Sequence, residues 1–154
     1  MGAIDTGVIG KEMPEITADI ERGRLRSFAL AIGETDPVYS DLDAARAAGH
    51  PDLPAPPTFV FGLALGRGEQ DFAWLADLGV DLRHILHGNQ AFTYHSIAHA
   101  GDTVTLAPKI VDVFSKRGGA LQFIVRETAV RDADGNPVAD LRDTIVVRDP
   151  GAGQ

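Results

Sequence analysis

The apolar positions divide the chain into two styles. From residue 19 to residue 80 they recur at helical spacing or fill whole segments. From residue 89 to residue 148 they alternate with polar positions. In the first region Leu25, Phe28, Ala29 and Ile32 fall at i, i+3, i+4 and i+7, one stripe of a helix. Asp19 is placed to cap that helix and Gly33 to end it. A shorter helix follows, with Ser40 and Asp43 as a capping-box-like start, alanines at 44, 45, 47 and 48, and Gly49 as its stop. Residues 50–57, HPDLPAPP, exclude helix and sheet interior because their prolines lack backbone donors. Thr58 to Gly66, TFVFGLALG, is apolar on every side, which predicts a helix buried all round. Gly62 and Gly66 each cost about 1 kcal/mol of helix propensity relative to alanine and allow close backbone approach. Phe72 to Leu78 continues the helical part.

The last third predicts an antiparallel meander. Ala91–Ile97 and Thr103–Val113 read as strands, the latter with Pro108 marking an edge or a bulge. Gly118-Gly119 makes a turn, and Leu121, Phe123 and Val125 supply the next inward set. Asp134-Gly135 is a hairpin signal, and Val138–Arg148 returns. Thr6–Ile20 adds a further strand at the front. A buried helix beneath a curling antiparallel sheet is an α+β layout. Residues 1–150 read as one domain with a short tail at 151–154.

Composition narrows the chemistry. The 154 residues carry a formal charge of −8 and no cysteine. Net acidity argues against a nucleic-acid surface, which needs a basic patch. Arg22, Arg24 and Arg26 form the densest basic cluster: a solvated helix face, or a rim for a phosphate. No apolar run reaches the length of a membrane span, and the start lacks a signal-peptide pattern, so a cytoplasmic protein is expected. No metal is expected, since no histidine pair has helical ligand spacing with an acidic third member. His50, His84 and His99 read as surface histidines. Asp102 reads as a turn residue. Tyr94 and His95, as successive strand residues, should face opposite ways, so that at most one of them faces a pocket. There is no Gly-x-Ser-x-Gly elbow, and Gly66-Arg67-Gly68 is too short to cradle phosphate.

Three ordered segments carry a resemblance. Phe28–Thr58, FALAIGETDPVYSDLDAARAAGHPDLPAPPT, resembles the N-terminal type of MaoC-like hydratase/dehydratase domain. His87–Thr103, HGNQAFTYHSIAHAGDT, and the closing hairpin from Asp134-Gly135 through Val147 resemble later parts of that family. The resemblance implies a hot-dog fold and an (R)-specific enoyl-thioester hydratase or 3-hydroxyacyl-thioester dehydratase. It implies a coenzyme A or acyl-carrier-protein thioester as substrate, and no metal or redox cofactor. In active members an Asp and a His hold a water as acid and base, and a backbone amide at the start of the central helix polarises the thioester carbonyl.

The sequence departs from the active pattern Gly-Asp-x-Asn-Pro-x-His. Here it runs Gly33-Glu34-Thr35-Asp36-Pro37-Val38-Tyr39, so Glu34 and Tyr39 stand at the positions of the family Asp and His. Glutamate moves its carboxylate by about one methylene, and tyrosine, with a pKa of about 10, replaces imidazole poorly at neutral pH. Pro57-Thr58 stands where His-Gly is common, and Ser96-Ile97 where Arg-Pro is usual. The candidate site is therefore Glu34, Tyr39 and His87 for catalysis, with Asp36, Pro57, Thr58, Phe59, Gly88 and His95 for substrate. Each has a plainer role open to it: a loop carboxylate for Glu34, an Asx-turn for Asp36, a core or interface ring for Tyr39, a turn for His87-Gly88, a hydrogen-bonded histidine for His95. The degenerate dyad favours a supporting subunit in a heterodimer with a catalytic MaoC-like chain, with a homodimer as the rival. A hot-dog thioesterase using Glu34 or Glu69, and a non-catalytic acyl-thioester-binding protein, are the alternatives in function.

Overall fold

The alternating third of the chain forms most of a five-stranded antiparallel sheet. The computed structural model describes residues 3–65 and 71–148. The strands are β1 (Ile16–Asp19), β2 (Ile85–Tyr94), β3 (Thr103–Lys116), β4 (Leu121–Asp132) and β5 (Pro137–Arg148), ordered β1-β3-β4-β5-β2. The helices are α1 (Arg22–Ala31), α2 (Leu42–Ala47), α3 (Phe59–Gly62) and α4 (Ala73–Asp77). This is the expected α+β hot-dog arrangement, with a long sheet folded over a short apolar helical segment. β2 lies at one edge of the sheet, bonded only to β5 among the described residues.

Several local expectations are corrected. Asp19 does not cap α1: it ends β1, pairs with Thr103 and accepts a hydrogen bond from Thr103 Oγ1 at 2.6 Å. Sheet pairing claims the residue, and Glu21 takes the cap position without a side-chain bond. Along α1, Leu25 and Ala29 are buried and Phe28 half-buried, while Ile32 is exposed just past the helix end. Asp41, not Ser40, caps α2, its carboxylate accepting from the amides of Asp43 and Ala44. Ser40 is used by the preceding turn, where its amide donates to the Pro37 carbonyl.

The largest correction concerns the apolar run from Thr58. Helix is formed only over Phe59–Gly62, one turn, and Gly66 lies outside the described residues. Thr58 gives this turn no side-chain cap, and Gly62 weakens propagation, so nothing local extends it. The turn is not buried all round. Phe59, Val60 and Leu63 are buried, whereas Phe61, Gly62 and Ala64 are half-buried and Leu65 is exposed.

In the sheet, β2 begins at Ile85, six residues before the expected Ala91. The inward set on β4 is also shifted: Gln122, Ile124 and Val125 are buried and Leu121 and Phe123 are half-buried. A bulge in β3 between Ile110 and Asp112, opposite Val125 and Arg126, resets the alternation. Phe123 instead stacks on Phe114, centroids 4.7 Å apart, beneath Lys116. Pro108 lies just beyond the pairing with β1 and shortly before this bulge. The β4–β5 turn carries Gly135 at φ +84°, but a bulge at Val130/Arg131 and the Asp132 carboxylate, which accepts from the Asp134 and Asn136 amides, make it longer than two residues.

Two apolar clusters fill the space under the sheet. Leu25, Leu53, Phe59 and Val60 meet Leu106, Val130 and Leu141 in one. Leu75 and Val80 meet Ile110, Ile124 and Val147 in the other. Each large side chain buried there contributes about 1.5–3 kcal/mol.

Candidate functional site

The loop after α1 is shaped by its own polar side chains. Gly33 leaves the helix at φ +72°. Glu34 Oε1 then accepts from the Asp36 amide at 2.9 Å, and the Asp36 carboxylate accepts from the Val38 amide at 3.0 Å. Pro37, with its fixed φ, starts a tight 3-10 turn that carries Tyr39 inward to a half-buried position. Glu34 and Asp36 stay exposed.

Tyr39 lines a cavity of about 320 Å³. Its floor is the proline-rich segment with Pro57 and Val60, and its far wall is the end of β2 with Tyr94, His95 and Ser96. Tyr94 and His95 both line it, contrary to the alternation expected for a continuing strand. β2 stops at Tyr94, and the His95 and Ser96 amides both donate to the Val138 carbonyl, which bends the chain back. His95 Nε2 lies 2.7 Å from Asp140 Oδ2, and Ser96 Oγ donates to the Pro137 carbonyl. The Tyr94 hydroxyl accepts from the Thr58 amide at 2.9 Å. Thr58 sits at φ +73°, a left-handed conformation unusual for a β-branched residue. Phe59 is buried, its ring edge-on to Phe28 at 5.5 Å.

Beneath the rim, His50 Nδ1 and His99 Nε2 are 3.0 Å apart. These two are half-buried partners rather than surface histidines, because Pro54 bridges to His99 and draws the two loops together. His84 is likewise half-buried. Burial pushes the His99 imidazole below its usual value, against a smaller opposing pull from the Asp102 carboxylate. Asp102 serves its turn, accepting from the His99 amide. The arginines of α1 are engaged in bracing: Arg22 pairs with Asp52, whose carboxyl it holds well below the usual range, Arg26 donates to the Ser40 carbonyl, and Arg24 lies over Phe59.

His87 and Gly88 lie elsewhere. They are inside β2, not before a strand, at its bulge between His87 and Asn89. Gly88 is needed for close approach rather than an unusual φ. A Cβ there would stand 2.7 Å from Val146 Cγ2 and 3.2 Å from the Thr144 carbonyl. The His87 ring stacks on Phe61 at 5.2 Å and lines a second cavity of about 440 Å³. That cavity is walled by Met13, Phe72, Ile85, Leu106 and Leu141, and it contains the Arg126–Asp143 ion pair and Trp74. The structure thus gathers Tyr39, Pro57 and His95 around one space and His87 around another. Glu34, Asp36, Thr58, Phe59 and Gly88 are not among the residues lining either. Glu69 lies outside the described residues.

Arg126, Asp143 and Trp74 had no part in the expectation. A signal for two of them exists, since folding the chain about Asp134-Gly135 brings position 126 opposite 143, as observed. Among the described residues, no group of three His, Asp or Glu side chains is placed to hold a metal ion, and no helix is long and apolar enough to cross a membrane.

A family model described as FAS1-like, dehydratase domain region, matches residues 7–141. A UPF0336 protein of Streptomyces coelicolor is 38% identical over 151 residues, covering 95% of this chain and 96% of that protein. Among solved structures, the C-terminally truncated HadBC complex of Mycobacterium tuberculosis, a 3R-hydroxyacyl-ACP dehydratase, aligns with a TM-score of 0.75 at 24% identity. That alignment covers 93% of this chain and 98% of the other. A MaoC-like dehydratase from Phytophthora capsici aligns with a TM-score of 0.76 at 20% identity, covering 97% of this chain and 51% of that one.

Proposed function

The chain belongs to the FAS1-like dehydratase family, and from that premise we propose that it is the supporting subunit of a heterodimeric enoyl-thioester hydratase/dehydratase. Its substrate is an acyl thioester of coenzyme A or of an acyl carrier protein. A MaoC-like partner supplies the Asp/His dyad that adds water across the conjugated double bond or removes it. This chain contributes binding space for the acyl arm. Neither role requires a metal or redox cofactor.

One observation carries the reading. Glu34, at the position of the family Asp, closes its own turn and is absent from the cavity that Tyr39 lines. A carboxylate and an acid/base partner must both reach the reacting water, and here they do not share a wall. The Thr58 amide adds support. It starts the short central helix, where the resemblance puts the carbonyl-polarising donor, and it is already taken by Tyr94. The likeness in fold to a chain of the HadBC complex is consistent with a two-chain assembly.

The test is hydration of trans-2-decenoyl-coenzyme A by the purified chain, alone and co-expressed with a family member bearing an intact dyad. The reading expects turnover only in the co-purified complex, lost when the partner's dyad is substituted. Turnover by the chain alone would overturn it. Release of free acid and thiol would favour the thioesterase alternative.

A further inference from the structure

The second cavity has a wall that an unsubstituted alkyl chain does not require. Its lining is mainly apolar, yet Arg126 and Asp143 are set into it as a buried pair, with side chains 19% and 5% exposed. Arg126 Nη2 lies 3.0 Å from Asp143 Oδ2, and its Nε sits 3.2 Å from both carboxylate oxygens. A buried ion pair is costly to desolvate, and apolar residues of similar volume usually serve stability as well or better. Set in a mainly apolar cavity, such a pair is available to a ligand. The Arg126 guanidinium also stacks on Trp74, 4.6 Å from the ring centroid, which fixes its plane. Guanidinium has five N–H donors, and Nη1 makes no hydrogen bond to a described residue. Thr128, two residues along β4, lines the same cavity.

We propose that this cavity receives an aliphatic chain bearing a neutral hydrogen-bonding oxygen, a hydroxyl or carbonyl, which Arg126 and the polar groups beside it hold. The oxygen is neutral because Asp143 already balances the guanidinium. A second anion beside that carboxylate would be buried without compensation. The volume falls in the range of small-molecule sites, about 300–1,000 Å³. With thioester probes the inference rests on the acyl-thioester reading above, so a probe without a thioester is included to separate them.

Trp74 is the chain's sole tryptophan and lines the cavity, so its fluorescence reports occupancy. The titration compares decanoyl-coenzyme A with ω-hydroxydecanoyl-coenzyme A, and octanol with octyl chloride. The oxygen-bearing member of each pair is expected to bind about tenfold more tightly, the gain of a hydrogen bond to a charged donor. Arg126→Met alone leaves a buried lone carboxylate and is liable to unfold. The double variant Arg126→Met/Asp143→Leu keeps the cavity apolar and folded, and in it the tenfold preference should vanish while the Trp74 response remains. Equal affinities in the wild type, or a preference that survives in the double variant, would overturn the inference. If only octanol shows the preference and neither thioester binds, the inference stands and the acyl-thioester reading falls. Silence from all four probes overturns both.

Discussion

The two cavities share a turn of helix and differ in how their polar groups are used. Val60 lines the smaller and Phe61 the larger. Around the smaller one the polar side chains are mostly engaged with each other or with backbone: His95 with Asp140, His50 with His99, Ser96 with Pro137, Tyr94 with Thr58. Of its lining, Tyr39 alone has a polar side chain that bonds to no described residue. Around the larger one an ion pair stands in an apolar wall with donors to spare. Groups saturated by their own neighbours hold a shape. The donors left over beside the ion pair are the ones the proposed ligand would use. On the reading proposed above, the chain keeps space for an acyl arm while Glu34 closes its own loop.

The contrast can be broken most forcibly at the ion pair. Arg126→Met should cost about 3–5 kcal/mol, since it strands the Asp143 carboxylate, and equilibrium urea unfolding measures it. Gly88→Ala tests the wall formed by the β2 bulge. The new Cβ must displace Val146 or the strand itself, at about 1–3 kcal/mol, and the His87–Phe61 stack should shift, visible as altered ring-proton shifts. Tyr94→Phe should cost less, about 0.5–1.5 kcal/mol. It frees the Thr58 amide, so thioester affinity should rise, read from the Trp74 fluorescence titration.

The smallest effect is one of pH. Burial lowers the His99 pKa from its ordinary 6.5, so the folded state binds fewer protons at that ring than the unfolded chain. The resulting stability is present above pH 6.5 and is lost as pH falls from there through the folded value. Asp52 and Asp132, both lowered by hydrogen bonds, act only at more acidic pH, below the ordinary carboxylate value. A His99→Gln variant should flatten the decline just below pH 6.5 in denaturant midpoints.

These contrasts also explain what could be read from the residues. The sheet was legible because alternation and Asp134-Gly135 mark strands and a reversal. The phase of β4 was not, because a bulge in β3, the partner strand, decides which side of Phe123 faces inward. The apolar run at Thr58 announced burial, but its helical length depends on packing around Gly62. Of the candidate site residues, Tyr39 and His95 were picked out through the family resemblance, and the structure places both on one cavity. The bend after Tyr94, which turns His95 to the same cavity, is set by a carbonyl on β5, more than forty positions along the chain. The Arg126–Asp143 pair was hidden because charged residues on strands ordinarily read as solvent-facing.

The most direct test of the central claim watches one sample by two signals. The purified chain is mixed with trans-2-decenoyl-coenzyme A while Trp74 fluorescence and the conjugated enoyl absorbance are followed together. A saturable change in fluorescence with unchanged absorbance is the predicted result, binding without turnover. Loss of the enoyl absorbance with formation of a 3-hydroxyacyl thioester would contradict it, and so would a fluorescence trace that never responds.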